Sequence, residues 1–357
     1  MAASKDGKSW RCQFYYKDWQ GTRHKKNKRG FRTKAEAEQW ERDFLQQHSG
    51  NLSIRFDNFV KIYMEDMKHR LRENTMISKE YIINLKIVPY FQNRNIEEIT
   101  TADIRAWQNE LMGQGYSQTY LKTINNQLAA IFNYAERYYD LKTNPCRKAG
   151  SMGKSDAELE DFWTIEEFNL FLDAVSDKEI SRAGFSLLYW TGMRIGELLA
   201  LTYSDIDFDN CTVTIDKSYQ RLKRKDVITE PKTQRSKREV TIPEFLRDEL
   251  AEYCDHLYGI LPTERMFHVT KYYFEHEMRR GIELTGVRKI RLHDLRHSAA
   301  SLMVSLGFQP LEIADRLGHE RIETTLNTYS HLYPNKQAEL AGKLNEVGKE
   351  ARNVKGS

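Results

Sequence analysis

The side chains best equipped for chemistry lie near the C-terminal end of the 357-residue sequence: His293-Asp294-Leu295-Arg296-His297, then Leu317-Gly318-His319, then Tyr329. Well upstream, Gly192-Met193-Arg194-Ile195-Gly196-Glu197 sets a second arginine in an otherwise apolar stretch. Together they supply two guanidinium groups, at least two imidazoles and a phenol, the inventory needed to hold a phosphodiester and attack it without metal. A transition state at phosphorus approaches two negative charges and needs cations that cannot lose their protons. Guanidinium offers permanent charge and a two-donor fork, which makes Arg194 and Arg296 the candidates. A charge at Arg194 costs energy unless it meets an anion, and Glu197, one helical turn on, is expected to hold it in place. A purely structural pair of Arg194 and Glu197 is the alternative. His293 and Arg296, three apart, share one helical face and can address one phosphate. His319 follows a glycine that would break the preceding helix, a place where a side chain projects into a cleft. Tyr329, with an ordinary phenol pKa of about 10, is a sluggish nucleophile, but nearby arginines and imidazoles lower the cost of the phenolate. The chemistry these residues predict is phosphoryl transfer on nucleic acid.

A zinc site is the competing use of His293 and His297, which stand four apart. Arg296 would put a positive charge beside the cation, and no glutamate stands where the metalloprotease pattern requires one, so no metal is predicted. His297 reads instead as a packing or hydrogen-bonding residue on the reverse edge of its helix.

Length predicts two or three domains. No stretch approaches the roughly 20 apolar residues of a membrane span, and the start, Met1 to Gly7, lacks the apolar core of a signal peptide. Cys12, Cys146, Cys211 and Cys254 lie far apart without Cys-x-x-Cys spacing, which argues against a zinc knuckle or a disulfide framework and predicts a cytoplasmic protein. The net charge of +4 is modest, but its distribution matters more than its sum. The segment up to Lys34 is strongly basic, and Arg11, Arg23, Lys25, Lys26 and Lys28 are its candidate DNA contacts. A second basic run between Lys217 and Arg238 adds Arg235 and Lys237. The alternative is a merely solvated charged face.

These side chains need a scaffold, and the periodicity predicts one that is mainly α with small β-sheets (α+β). In residues 1–48, Trp10, Cys12, Phe14 and Tyr16 alternate as in a half-buried strand. A basic second strand follows, then a helix from Lys34 to Gln47 capped by Thr33. Residues 51–146 read as a helical bundle. One stripe there is Phe56, Phe59, Val60, Tyr63 and Met67; another is Tyr81, Ile82, Leu85, Val88 and Phe91, ending after Pro89. A third helix runs from Asp103 to Met112, and Ser117 caps a long fourth on which Lys122, Asn125, Asn126 and Gln127 are candidates to face DNA, the alternative being an ordinary solvated outer face. Residues 147–160 read as a linker. Within 161–334, Thr164-Ile165-Glu166-Glu167 has capping-box spacing. Thr212 to Ile215, Asp226 to Glu230 and Glu239 to Ile242 predict a small antiparallel sheet whose strands are separated by basic loops. Residues 335–357 predict an amphipathic tail helix.

Gly-x-Arg-x-x-Glu-Leu, His-x-x-Arg-His, Leu-Gly-His and the later Tyr occur in the order seen in tyrosine recombinases. The chain resembles the phage-integrase family of these enzymes, the type carried by phages and conjugative transposons, over nearly its whole length. The resemblance implies an arm-type DNA-binding domain, a core-binding domain and a catalytic domain. It implies that Arg194, His293, Arg296 and His319 bind and activate the phosphate while Tyr329 attacks it, giving a 3′-phosphotyrosyl link and a free 5′-hydroxyl. The family's hairpin lysine corresponds to Lys232 in Pro231-Lys232-Thr233, followed by Ser236 and Arg238, and would be the general acid to the leaving oxygen. Further implications are no cofactor, double-stranded DNA attachment sites as partner, a homotetramer on DNA, and an excisionase or DNA-bending protein as accessory. The tail helix would dock on a neighbouring subunit or on its own domain. A topoisomerase using the same tyrosine chemistry, a non-catalytic DNA-binding regulator and a zinc hydrolase are the competing readings.

Overall fold

The computed structural model describes residues 3–7, 9–17, 23–48, 54–154, 161–231, 233–330, 341–342 and 344–345. The chain divides into two compact units, Met1–Glu158 and Leu159–Ser357. No described helix is long and apolar enough to cross a membrane.

The first unit opens with an antiparallel sheet of β1 (Ala3–Asp6), β2 (Ser9–Lys17) and β3 (Arg23–Phe31), followed by α1 (Lys34–His48). Alternation along β2 sends Cys12 and Phe14 toward α1, where they meet Phe31, Ala37 and Phe44 in a small core. The register pairs Cys12 with Lys28 and Phe14 with Lys26, but Arg11 with Arg29 and Tyr15 with Lys25. The candidate DNA contacts therefore divide between two faces. Arg11, Arg23 and Lys25 lie on the open face, with the Arg23 guanidinium 4.2 Å from the Tyr15 ring centroid. Lys26 and Lys28 lie on the helix side, their ammonium groups 5.1 Å from the Phe44 centroid and 5.3 Å from that of Trp40. There the aliphatic stems shield the rim of the core, and the strand is basic on both sides.

A helical bundle follows: α2 (Phe56–Lys68), α3 (Glu73–Ile82), a π-helical segment (Ile83–Ile87), α4 (Val88–Phe91), α5 (Thr101–Met112), α6 (Gln118–Tyr138) and α7 (Pro145–Ala149). Thr100 and Asp103 form a capping box at α5, and the Ser117 hydroxyl accepts from the Tyr120 amide at the start of α6. The second predicted stripe holds in part: Ile82 and Phe91 are buried and Val88 packs against the core, but Tyr81 and Leu85 do not. Tyr81 and Leu85 are exposed, whereas Ile83 and Ile87 are fully buried and the helix continues past Pro89 to Phe91. Proline has no amide proton for the carbonyl four residues back and its ring crowds it, and the wide turn just ahead relieves this while rotating the buried face. Two further expectations change. Asn125 is buried and accepts from Gln108 at 2.8 Å, and Gln127 accepts from Lys79 at 2.7 Å; only Asn126 of the predicted trio of amides is exposed. The predicted linker also begins too early, because Ala149 and Met152 are buried in the bundle core.

The second unit contains α8 (Ile165–Val175), α9 (Glu179–Thr191), α10 (Ile195–Leu198), β4 (Ile206–Asp207), β5 (Thr212–Ile215), β6 (Ser218–Leu222), β7 (Lys225–Thr229) and β8 (Arg238–Thr241). Further helices follow among the described residues: α11 (Glu244–Asp255), α12 (Lys271–Thr285), α13 (Asp294–Ser305), α14 (Pro310–Leu317) and α15 (Ile322–Tyr329). Thr164 and Glu167 form the expected capping box on α8. The β-structure is two pieces, a β4-β5-β8 sheet and a separate β6-β7 hairpin. Ser218–Leu222, expected as basic loop, is a strand, with Leu222 paired to Lys225. The two residues between them, Lys223 and Arg224, have φ of 48° and 66°, the left-handed pair a tight hairpin turn demands. The tail helix expected over 335–357 falls almost wholly outside the described residues.

Candidate active site

Three turns build the site. Helix α9 ends at Gly192, whose φ of 66° lies in the left-handed region and whose missing Cβ leaves room for the Leu317 side chain. This turn places Arg194 as the N-cap of α10. Helix α13 begins after His293, where Asp294 accepts from the Arg291 amide at 2.6 Å. Helix α14 stops at Gly318, φ 68°, and releases His319.

Arg296 is only 3% exposed. It donates through Nη1 to the Gly192 carbonyl at 2.8 Å and through Nη2 to the Leu317 carbonyl at 2.7 Å, tying the ends of α9 and α14 together. Burial, followed by the neighbouring charge of Arg194, pushes its pKa down to about 9; the guanidinium remains charged at neutral pH. Arg194 donates through Nη1 to Glu197 Oε1 at 2.8 Å and through its amide to Oε2 at 2.9 Å. The same carboxylate accepts from Arg238 Nη2 at 3.0 Å. Burial alone would raise the Glu197 carboxyl, but Arg238 and then Arg194 hold it below its ordinary range. One carboxylate thus faces three guanidinium groups, and the Arg194 side chain stays 39% exposed. A cluster with surplus positive charge, partly open to solvent, is suited to an anion.

The imidazoles are held neutral. Burial, then Arg296, lowers His293; burial and Arg296 lower His319 to about 3; burial and His293 lower His297 to about 4. His319 Nδ1 lies 2.7 Å from the Thr325 hydroxyl, which orients the ring so that Nε2 is left for the cleft. Tyr329 is 3% exposed. Its ring packs with Ala300, Val304, Ile313 and Leu317, and its hydroxyl lies 2.6 Å from His297 Nδ1. His297 is therefore a hydrogen-bonding residue as expected, but not on the reverse edge: His293 and His297, one turn apart, stack edge-on with centroids 5.2 Å apart. The structure thus brings Arg194, Glu197, His293, Arg296, His319 and Tyr329 into one cluster. Lys232 lies outside the described residues. Arg235 and Lys237 of the same loop are exposed, Arg235 reaching the Glu320 carbonyl at 3.3 Å and Lys237 the Glu230 carboxylate at 3.3 Å. Among the described residues no three His, Cys, Asp or Glu side chains are grouped to hold a metal ion.

Over 83% of its length the chain is 32% identical to the ICEBs1 integrase of Bacillus subtilis, covering 84% of that protein. The chain belongs to the phage integrase family. The phage integrase family model matches residues 162–336, its N-terminal SAM-like domain 55–112, and an Arm DNA-binding domain 3–48. A XerC-like tyrosine recombinase of Caldanaerobacter subterraneus is 26% identical, with 88% of this chain and 90% of that protein covered. The Tn1549 transposon integrase, solved in complex with circular intermediate DNA, shares the fold at a TM-score of 0.68 and 19% identity, with 81% of this chain and 99% of that one covered. As a member of this family the integrase is a tyrosine recombinase, a site-specific DNA recombinase for the integration and excision of a mobile element.

Three residues of the integrase site carry weight that sequence reasoning did not give them. Arg238 shares Glu197 with Arg194 and donates through Nε to the Arg316 carbonyl at 2.8 Å, joining β8 to α14. Thr325 has a readable signal, since it stands four residues before Tyr329 and so on the same face of α15. His297 has the equivalent signal in its four-residue spacing from His293.

Proposed function

We propose that the integrase binds double-stranded attachment-site DNA and cuts it by attack of Tyr329 on a phosphodiester, forming a 3′-phosphotyrosyl link and releasing a 5′-hydroxyl. The observation that carries this reading is Arg296, buried, charged and held by two carbonyls, beside Arg194 and with the Tyr329 phenol within its electrostatic reach. Arg194 and Arg296 neutralise the non-bridging oxygens, and His293 and His319, as neutral imidazoles, donate hydrogen bonds to them. Glu197 fixes Arg194. Lys232, by its place between Pro231 and Thr233, protonates the leaving 5′-oxygen. The covalent link conserves the bond energy, so a 5′-hydroxyl from another strand reverses the step without ATP or cofactor.

Residues 1–48 serve arm-site binding, 51–146 core-site binding through Lys122 and Asn126 among others, and 161–334 catalysis with Arg235 and Lys237 near the DNA backbone. Exchange between two duplexes requires four active sites used in pairs, hence a homotetramer on DNA. An excisionase or DNA-bending protein sets direction, and the protein works in the cytoplasm. The Arm DNA-binding match over 3–48 favours recombination over topoisomerase action, because a second class of binding site serves assembly and not relaxation. The test is a suicide DNA substrate carrying the element's end. The wild-type protein is expected to form a covalent adduct that maps to Tyr329, and Tyr329→Phe to bind the same DNA without one. An adduct that persists in Tyr329→Phe would overturn the assignment.

A further inference from the structure

Among the buried groups near the proposed nucleophile, one is unused by the mechanism above. His297 lies on α13 directly behind His293 and Arg296, and its Nδ1 is 2.6 Å from the Tyr329 hydroxyl. Both side chains are buried, and the phenol ring is wedged against Ala300, Val304, Ile313 and Leu317. We infer that His297 is the proton acceptor for Tyr329, which rests on Tyr329 being the nucleophile.

The geometry restricts the alternatives. A neutral imidazole carries a proton on one nitrogen and a lone pair on the other; in the tautomer with its proton on Nε2, the lone pair is on Nδ1 and the phenol 2.6 Å away donates to it. Burial together with His293 keeps the ring neutral in the resting protein. His319 cannot share the task through Nδ1, because that nitrogen faces Thr325. In the step proposed, the Tyr329 Oη–H proton passes to His297 Nδ1 as the Oη–P bond forms. The P–O5′ bond breaks in the same displacement, and the 5′-oxygen takes a proton from the general acid assigned to Lys232. On resealing, an incoming 5′-hydroxyl returns its proton to that acid, attacks phosphorus and expels the phenolate, which recovers its proton from the His297 imidazolium. Phosphate bound between Arg194 and Arg296 supplies the negative charge that makes a transient imidazolium tolerable in a cationic cleft.

The test uses His297→Asn, whose side-chain oxygen keeps an acceptor close to the place of Nδ1 but cannot carry the proton away, and His297→Gln as a second variant of different length. Single-turnover adduct formation on the suicide substrate is measured on the full chain, alongside DNA affinity and a thermal melt. A second substrate carries sulfur in place of the scissile 5′-bridging oxygen, a leaving group that needs no acid. At least one variant is expected to bind DNA as the wild type does yet form adduct about 10²-fold more slowly or worse, with the deficit retained on the sulfur substrate. An adduct rate within about threefold of wild type in a folded variant would overturn the inference. So would a faster rate, which would make the bond a restraint on the tyrosine, or recovery on the sulfur substrate, which would move the defect to the leaving group. Failure of the wild type itself to form an adduct at Tyr329 would instead sink the underlying functional reading.

Discussion

His297 and His319 are held neutral by burial, with pKa values near 4 and 3, against about 6.5 for an unfolded histidine. As pH falls, the unfolded chain takes up these protons first. Their contribution is therefore intact above about pH 6.5 and is lost as pH falls toward 4. For His297, the more buried, the loss is about 1 kcal/mol per pH unit across that window. Urea titrations of the full chain at pH 7.5, 6 and 5 should show the midpoint falling with acid, and His297→Gln should flatten part of the slope; an identical slope in the variant would refute this. What the sequence could reveal about these side chains was their type and their relation to local helix geometry. Arg194 with Glu197, and His293 with Arg296, were legible because each pair lies within one turn. The bond from His297 to Tyr329 and that from Arg238 to Glu197 cross between helices or from strand to helix, and no local period encodes them.

Helices and strands were read correctly wherever a cap or an alternation marked them, as at Thr164, Ser117 and Trp10 to Tyr16. The errors have specific causes. The π-helical segment before Pro89 breaks the 3.6-residue period on which the stripe through Tyr81 and Leu85 relied. The β6-β7 hairpin hides because its turn is Lys223-Arg224, where Asn-Gly is the usual signal. The turn between α14 and α15 is the element junction on which most depends. Gly318 has φ 68°, and a Cβ there would lie 3.0 Å from Arg238 Nη1 and 3.1 Å from the Arg235 carbonyl. Gly318→Ala should cost about 1–2 kcal/mol for the left-handed backbone and displace His319, lowering adduct formation more than DNA binding. Thermal melts and suicide-substrate assays check both, and a variant as stable and active as wild type would show that the turn tolerates a side chain.

For the molecule as a whole, a charge of +4 says little, and the placement of cations on the β2 and β3 faces says more. Arg11, Arg23 and Lys25 stand on the open face with Tyr15, whereas Lys26 and Lys28 cover aromatic rings beside α1. With the open face meeting DNA, replacing Arg11, Arg23 and Lys25 together by Ala should reduce the slope of log affinity against log salt for arm-site DNA by about 0.9 for each phosphate no longer neutralised. Replacing Lys26 and Lys28 should leave that slope nearly unchanged while lowering the melting temperature. Fluorescence anisotropy over a KCl series measures the first effect, and equal slope changes in the two variants would refute the division.

Arg296 offers five N–H donors and commits Nη1 and Nη2 to the carbonyls of Gly192 and Leu317. These two bonds restrain its plane, so an anion taken up as proposed would meet its remaining donors from a restricted direction. The two non-bridging oxygens of a DNA phosphodiester are diastereotopic, so a guanidinium fixed in this way is expected to contact them unequally. The two backbone carbonyls that hold Arg296 would thus fix which of those oxygens its remaining donors reach.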